Sequence, residues 1–189
     1  MRVKRQEKGD QAMIYKSNEV EKDAVFEVAK LMAAAARTAP KAKGIDTLLT
    51  MIVDGSEKDA IAAELRRIGE GGDRFASFIR DAGNVDGSDY VVLLAAIDKP
   101  AGLPICSSCG FENCAAAVSA GAPCAFNISD LGTAACSACA VASHHFVDNR
   151  MMFTVGLAAK RLGLFEENIR MCYGIPISVK GKSIYYDRK

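Results

Sequence analysis

Apolar residues recur at helical spacing through Val20, Val25, Val28, Ala29, Leu31 and Met32, behind Asn18-Glu-Val-Glu21, which has the form of a capping box. The spacing predicts a long helix that ends at Pro40. Thr47 to Val53 is a short apolar run closed by Asp54-Gly55, the pattern of a buried strand, and Tyr90 to Ile97 is a second. Between them Ser56 caps a helix running through Leu65 and Ile68. Gly69 to Gly72 break it, and a further helix covers Arg74 to Asp81. Residues 101–126 lose this periodicity except for a short helix from Cys114 to Ala120. Asn127 and Asp130 open an alanine-rich helix to about Ser143, and Asp148 caps another, Asn149 to Leu162, which Gly163 stops. Ile169 to Val179 predicts a strand on either side of a Gly174-x-Pro176 kink. Buried strands separated by helices predict a layered α/β fold, with residues 1–189 as one domain and 101–126 as an inserted loop.

Composition narrows the function classes. Half of the 189 residues are hydrophobic, enough for a packed core without disulfides, and 24 basic against 23 acidic residues leave a formal charge of +1. That balance gives no electrostatic footprint for nucleic acid or an anionic membrane surface. The polar N-terminus has no apolar signal-peptide core, and the uncharged stretch Leu131 to Val147, which no other exceeds in length, is too short and polar to span a bilayer. A cytoplasmic protein is expected. In a reducing compartment its seven cysteines point to metal or redox chemistry rather than a disulfide framework.

Four of those cysteines, Cys106, Cys109, Cys114 and Cys124, fall in a C-x2-C-x4-C-x9-C run. Soft thiolates match iron, and four of them complete one [4Fe-4S] cubane. Gly110 lets the backbone turn close to inorganic sulfide, and Cys114 at a helix N-terminus has its thiolate favoured by the dipole. Two alternatives stand beside this reading. A structural zinc also takes four thiolates, although zinc ribbons usually show two C-x2-C knuckles, and four unconnected buried cysteines are the plainest case. Cys136 and Cys139 form another C-x2-C inside an alanine-rich helix, where core packing explains them, and Cys172 reads as a buried strand residue. His144 and His145, the only histidines, are adjacent and have no nucleophile paired with them. Nucleotide-binding glycine loops, the nucleophile elbow and the zinc-protease motif are all absent.

Several stretches together resemble one family. They are Ala34-Ala-Ala-Arg37-Thr-Ala-Pro40-Lys-Ala-Lys43-Gly44-Ile-Asp46, the C-x2-C-Gly-x3-C run, Val147-Asp148-Asn149-Arg150-Met151, Gly156 to Leu164, and Gly174-Ile-Pro-Ile-Ser-Val-Lys-Gly181. They look like the prokaryotic ferredoxin-domain proteins of the DUF2148 type, from about residue 18 to the end. The cysteine run also resembles the four-iron domain of electron-transport and corrinoid iron–sulfur subunits. The gap before the fourth cysteine is shorter here, which leaves Cys136 as the next candidate for that position. The order of elements is more loosely similar to flavin-dependent nitroreductases. That resemblance implies a homodimer with FMN at the subunit interface, although the family's Arg-Arg-Ser-x-Arg and Asn-x-Gln-Pro-Trp signatures are missing.

Together the resemblances imply a nitroreductase-like layered core carrying a [4Fe-4S] loop, an oxidoreductase or electron carrier. It would pass electrons to a partner protein or a small-molecule acceptor. Should a flavin phosphate bind, Arg37, Lys41, Lys43, Lys182 and Arg188 are the basic candidates, each with a solvated surface charge as its alternative. Phe111, Tyr185 and Tyr186 are candidates to stack on a cofactor ring, with core or interface packing as theirs. Asp148-Asn149-Arg150 is a candidate polar turn.

Overall fold

The computed structural model describes residues 14–165 and 168–186. Helix α1 (Ser17–Thr38) leads through a short 3-10 turn (Ala42–Gly44) into β1 (Leu48–Val53), followed by α2 (Gly55–Gly69), α3 (Ala76–Asp86) and β2 (Tyr90–Ile97). The cysteine segment contains α4 (Cys114–Ser119). It leads into α5 (Ala125–His144), β3 (Asp148–Asn149), α6 (Phe153–Arg161) and β4 (Ile169–Ser178).

The four strands form one sheet in the order β1-β2-β4-β3, with every pairing antiparallel. An antiparallel sheet commonly keeps one face wet, whereas here both faces are covered. Along β2 the alternation is complete. Tyr90, Val92, Leu94 and Ala96 face α1 and α5, while Val91, Leu93 and Ala95 face α2, α3 and α6. This is why Tyr90 to Ile97 reads as a continuous apolar run.

Helix α6 lies close on β4 because two glycines leave room for it. A Cβ on Gly156 would stand 1.9 Å from the Cys172 carbonyl oxygen, and one on Gly174 would stand 2.2 Å from Val155 Cγ1.

Most predicted elements are present, but four boundaries are corrected. Asn18 does not cap α1: the N-cap is Lys16, and Ser17 instead donates to the Glu21 carboxylate. Helix α5 starts at Ala125, before Asn127, whose amide is engaged by Thr47 Oγ1 at 2.7 Å. Asp148 is not a cap either; it pairs with Ser178 as a short edge strand, and α6 begins at Phe153 behind Met152. Gly174 and Pro176 do not divide the tail, since β4 runs through both, pairing with β2 and β3.

Strand β4 has a bulge. Ala96 opposes Met171 but Ile97 opposes Ile169, so Arg170 is the extra residue. The bulge flips the side-chain phase. Met171, Tyr173, Ile175 and Ile177 face α1 and α5, whereas Ile169 packs on the opposite side.

Candidate iron–sulfur site

The cysteine segment leaves the end of β2 and returns at the start of α5. Its first turn is tight. Gly110 N–H donates to Ser107 O at 2.9 Å, Ser107 sits at φ 53° and Gly110 at φ 85°. A positive φ favours glycine, and at Ser107 the strain accompanies the turn that carries Cys106 and Cys109. Asn113 then caps α4, accepting from Ala116 N–H at 2.9 Å, which sets Cys114 as the first helical residue. Cys124 is itself the N-cap of α5 and makes no side-chain capping bond. The first amides of a 20-residue helix therefore open beside a sulfur, where the dipole favours negative charge.

All four cysteines line one depression, together with Pro100, Phe111 and Ala117, and it holds about 30 Å³ of free space. Each is a free thiol, partly shielded from solvent. Ser108, through its hydroxyl 3.4 Å from Cys106 Sγ and its backbone N–H, holds the Cys106 thiol below its ordinary value.

The donor set suits an iron–sulfur cluster: four soft sulfurs, two of them at helix N-termini, on a segment that turns tightly between them. Zinc gains no support. Tetrahedral zinc at a Zn–S distance of about 2.3 Å needs thiolates only about 3.8 Å apart. Among the described residues no three His, Cys, Asp or Glu side chains are grouped to hold a metal ion. A cubane spreads its ligands over separate irons and does not require sulfurs that close.

The other cysteines lie elsewhere. Cys136 is exposed on α5, twelve residues beyond Cys124, or about 18 Å along the helix axis. It does not line the depression. Cys139 packs against the α1–α5 core, where burial, aided by neighbouring Cys136, pushes its thiol up to about 11. Burial pushes Cys172 up to about 12. Alkylation of the folded, cluster-free protein at pH 8 should therefore modify Cys106 early and leave Cys139 and Cys172 intact until unfolding, as peptide mass spectrometry would show.

The basic candidates have mixed fates. Arg37 Nη1 donates to Asp46 Oδ2 at 2.5 Å and to Leu48 O at 2.7 Å, tying the end of α1 to β1. Lys41 Nζ caps the α1 C-terminus on Arg37 O (2.7 Å), Ala39 O (2.8 Å) and Ala36 O (3.3 Å). Lys43, at φ 56°, reaches the cysteine segment at Gly102 O, 3.3 Å away. Arg188 lies outside the described residues. Among the aromatics, Phe111 lines the depression. Tyr185 is core, its hydroxyl 2.9 Å from Ser88 Oγ and 3.1 Å from Ser178 Oγ. Tyr186 is exposed beneath the Arg150 guanidinium. The polar turn is structural: Arg150 Nη1 donates to Tyr185 O at 2.9 Å, and Asn149 Nδ2 donates to Ser143 Oγ and Val147 O.

Burial alone would raise the Asp46 carboxyl. The Arg37 and Leu48 hydrogen bonds and the charges of Arg37 and Lys41 outweigh it, leaving the group below its ordinary 3.8. Stability from this group is complete above 3.8 and is lost as pH falls through the lowered value. Asp46→Asn should cost under about 1 kcal/mol near neutrality, because the pair is solvent-screened. The difference in denaturant midpoint from the parent should shrink at acid pH.

Sequence reasoning missed the anchors around the site. Asp130 accepts from Ala42 N–H at 3.0 Å, and Arg170 reaches Asp98 and Gly121. Both are polar residues whose partners lie far away in the chain, so no local pattern marks them.

Known proteins resemble this chain in sequence and in fold. A protein of Archaeoglobus fulgidus is 40% identical over 185 residues, 93% of this chain and 98% of its own. Residues 120–188 match the family described as uncharacterized proteins containing a ferredoxin domain, DUF2148. The chain belongs to the DUF2148 family. The matched segment of this DUF2148 protein includes Cys124 and starts after the other three cysteines. Its fold is nitroreductase-like. A nitroreductase with bound FMN from Desulfitobacterium hafniense superposes with TM-score 0.57 at 18% identity, covering 82% of this chain and 78% of that one. A nitroreductase family protein from Clostridium novyi gives 0.55 at 16%, covering 92% and 78%. The FMN-dependent nitroreductase NfnB of Mycobacterium smegmatis, in complex with NADPH, gives 0.53 at 14%, covering 82% and 78%. At these identities the likeness shows the fold alone. Among the described residues no helix is long and apolar enough to cross a membrane.

Proposed function

We propose that this DUF2148 protein is a cytoplasmic oxidoreductase component that holds one [4Fe-4S] cluster on Cys106, Cys109, Cys114 and Cys124. The observation that carries the reading is the convergence of these four thiols on one depression, with Cys124 at the N-terminus of α5. When bound, such a cluster supplies one-electron transfer. The protein's part is to set its surroundings. The α5 N-terminus and nearby backbone amides favour added negative charge, and the half-buried ligands limit solvent access. Ile105, 97% exposed beside Cys106, is an apolar point on the cysteine segment where a redox partner protein or small-molecule acceptor would approach, with Lys43 held against the same segment at Gly102 O. A homodimer is part of the proposal, on the strength of the nitroreductase-like fold.

A second reading, an FMN-dependent reductase with accessory cysteines, draws support from an FMN-bound nitroreductase and an FMN-dependent one of the same fold. Arg37, Lys41 and Lys43 each already donate to protein oxygens, so a phosphate at these positions would have to displace those bonds.

Anaerobic purification with iron, sulfide, zinc and flavin measured on one sample tests both. The expected result is about four iron and four sulfide per chain. A colourless preparation without iron or sulfide overturns the cluster, and absence of heat-released flavin after FMN supplementation removes the second reading.

A further inference from the structure

We infer that Arg170 is the positioning residue that pins the cysteine segment to the sheet and so holds Cys124 in register with the other three ligands. The inference rests on the cluster reading above.

Arg170 is the bulged residue of β4, and a bulge re-aims a side chain out of the ladder. Its Nη2 donates to Asp98 Oδ2 at 2.7 Å and to Gly121 O at 2.9 Å. Asp98 is the residue from which the segment leaves β2. Gly121, at φ 65°, closes α4, the helix that begins with Cys114, and lies three residues before Cys124. One guanidinium nitrogen thus grips both ends of the segment, its two N–H groups diverging to a carboxylate and a carbonyl from a planar group of fixed orientation. The side chain is only one-third exposed, and the Lys160 ammonium takes up the Arg170 carbonyl at 3.3 Å. Cys114 and Cys124 sit on separate helices, and the Gly121 carbonyl is the grip point on the short chain between them.

Three variants test this: Arg170→Ala, Arg170→Lys and Asp98→Asn. In cluster-free protein, limited proteolysis within residues 99–124 should rise at least about tenfold for Arg170→Ala, since both charge-assisted hydrogen bonds of the guanidinium are lost. The two conservative variants should fall between it and the parent. In cluster-loaded protein, Arg170→Ala should give more three-iron EPR signal after controlled air exposure. There, one-electron oxidation of a bound cluster by dioxygen, which would be reduced to superoxide, would release one ferrous ion and leave the three-iron form, and a loosely held ligand would favour that loss. Parent-like cleavage and EPR in Arg170→Ala would overturn the inference. So would a uniform rise in cleavage along the whole chain, the mark of general destabilisation. If the parent itself binds no iron, the cluster reading and the role toward Cys124 fall together, while the proteolysis still shows whether Arg170 pins the segment.

Discussion

Serine at Cys106, Cys109 or Cys114 should remove the cluster: iron falls from about four per chain to below about one, and the broad visible absorbance goes with it. The alcohol is a harder and far less acidic ligand than the thiol. The three residues share one short stretch, so the loss of any one leaves the others without a closed site. Cys124→Ser should behave differently. It lies outside the Cys106–Cys114 stretch, at the start of α5 and just beyond the Arg170 grip point, so a partly assembled three-iron form is the expected product. Cys136→Ser is the control, because that residue lies about three turns further along α5, on its exposed face. Iron and sulfide analysis with EPR on the five proteins reads all of this. Full iron in Cys106→Ser, or loss of iron in Cys136→Ser, would contradict the ligand assignment.

The largest effect on stability is expected at Gly156. A methyl group there would meet the backbone carbonyl of Cys172 at 1.9 Å, a contact that no rotamer can relieve. Helix α6 must then lift from β4, opening the core formed by Val155, Ala158 and Ala159 against Cys172 and Ile169. Gly156→Ala should cost on the order of 3 kcal/mol, lowering Tm by about 6–12 °C in a chain of this size. Gly83→Ala is the matched control, since a Cβ there meets nothing within 4 Å. It should be neutral or slightly stabilising, as alanine is the better helix former. Thermal unfolding followed by circular dichroism distinguishes the two, and a Gly156→Ala protein with parental Tm would show that the close approach is not rigid.

Where a segment's environment is set by its own neighbours, the sequence was readable. The apolar run of β2, the C-x2-C turn with Gly110 and the helix start at Cys114 all follow from local spacing, and the structure has each of them. Caps were less readable because Asn, Asp and Ser suit several roles. Asn127 is engaged by Thr47, and Asp130 by Ala42 of the loop after α1, so α5 begins at Cys124 and Ala125 instead. The same holds for Arg37 and Lys41. As residue types they suit a phosphate, but here they secure the end of α1.

By itself, the sequence determined most of the element types, the family and the four thiols capable of shared chemistry, because periodicity, glycine placement and cysteine spacing are local properties. The tertiary structure decided the all-antiparallel strand order and the burial of both sheet faces. It also decided the convergence of Cys124 with the loop cysteines and the grip of Arg170 on the segment that joins them. Each of these depends on partners tens of residues apart, and on a one-residue bulge that turns a strand side chain toward the site. Such pairings are settled by the packing of the whole core and leave no periodic trace along the chain.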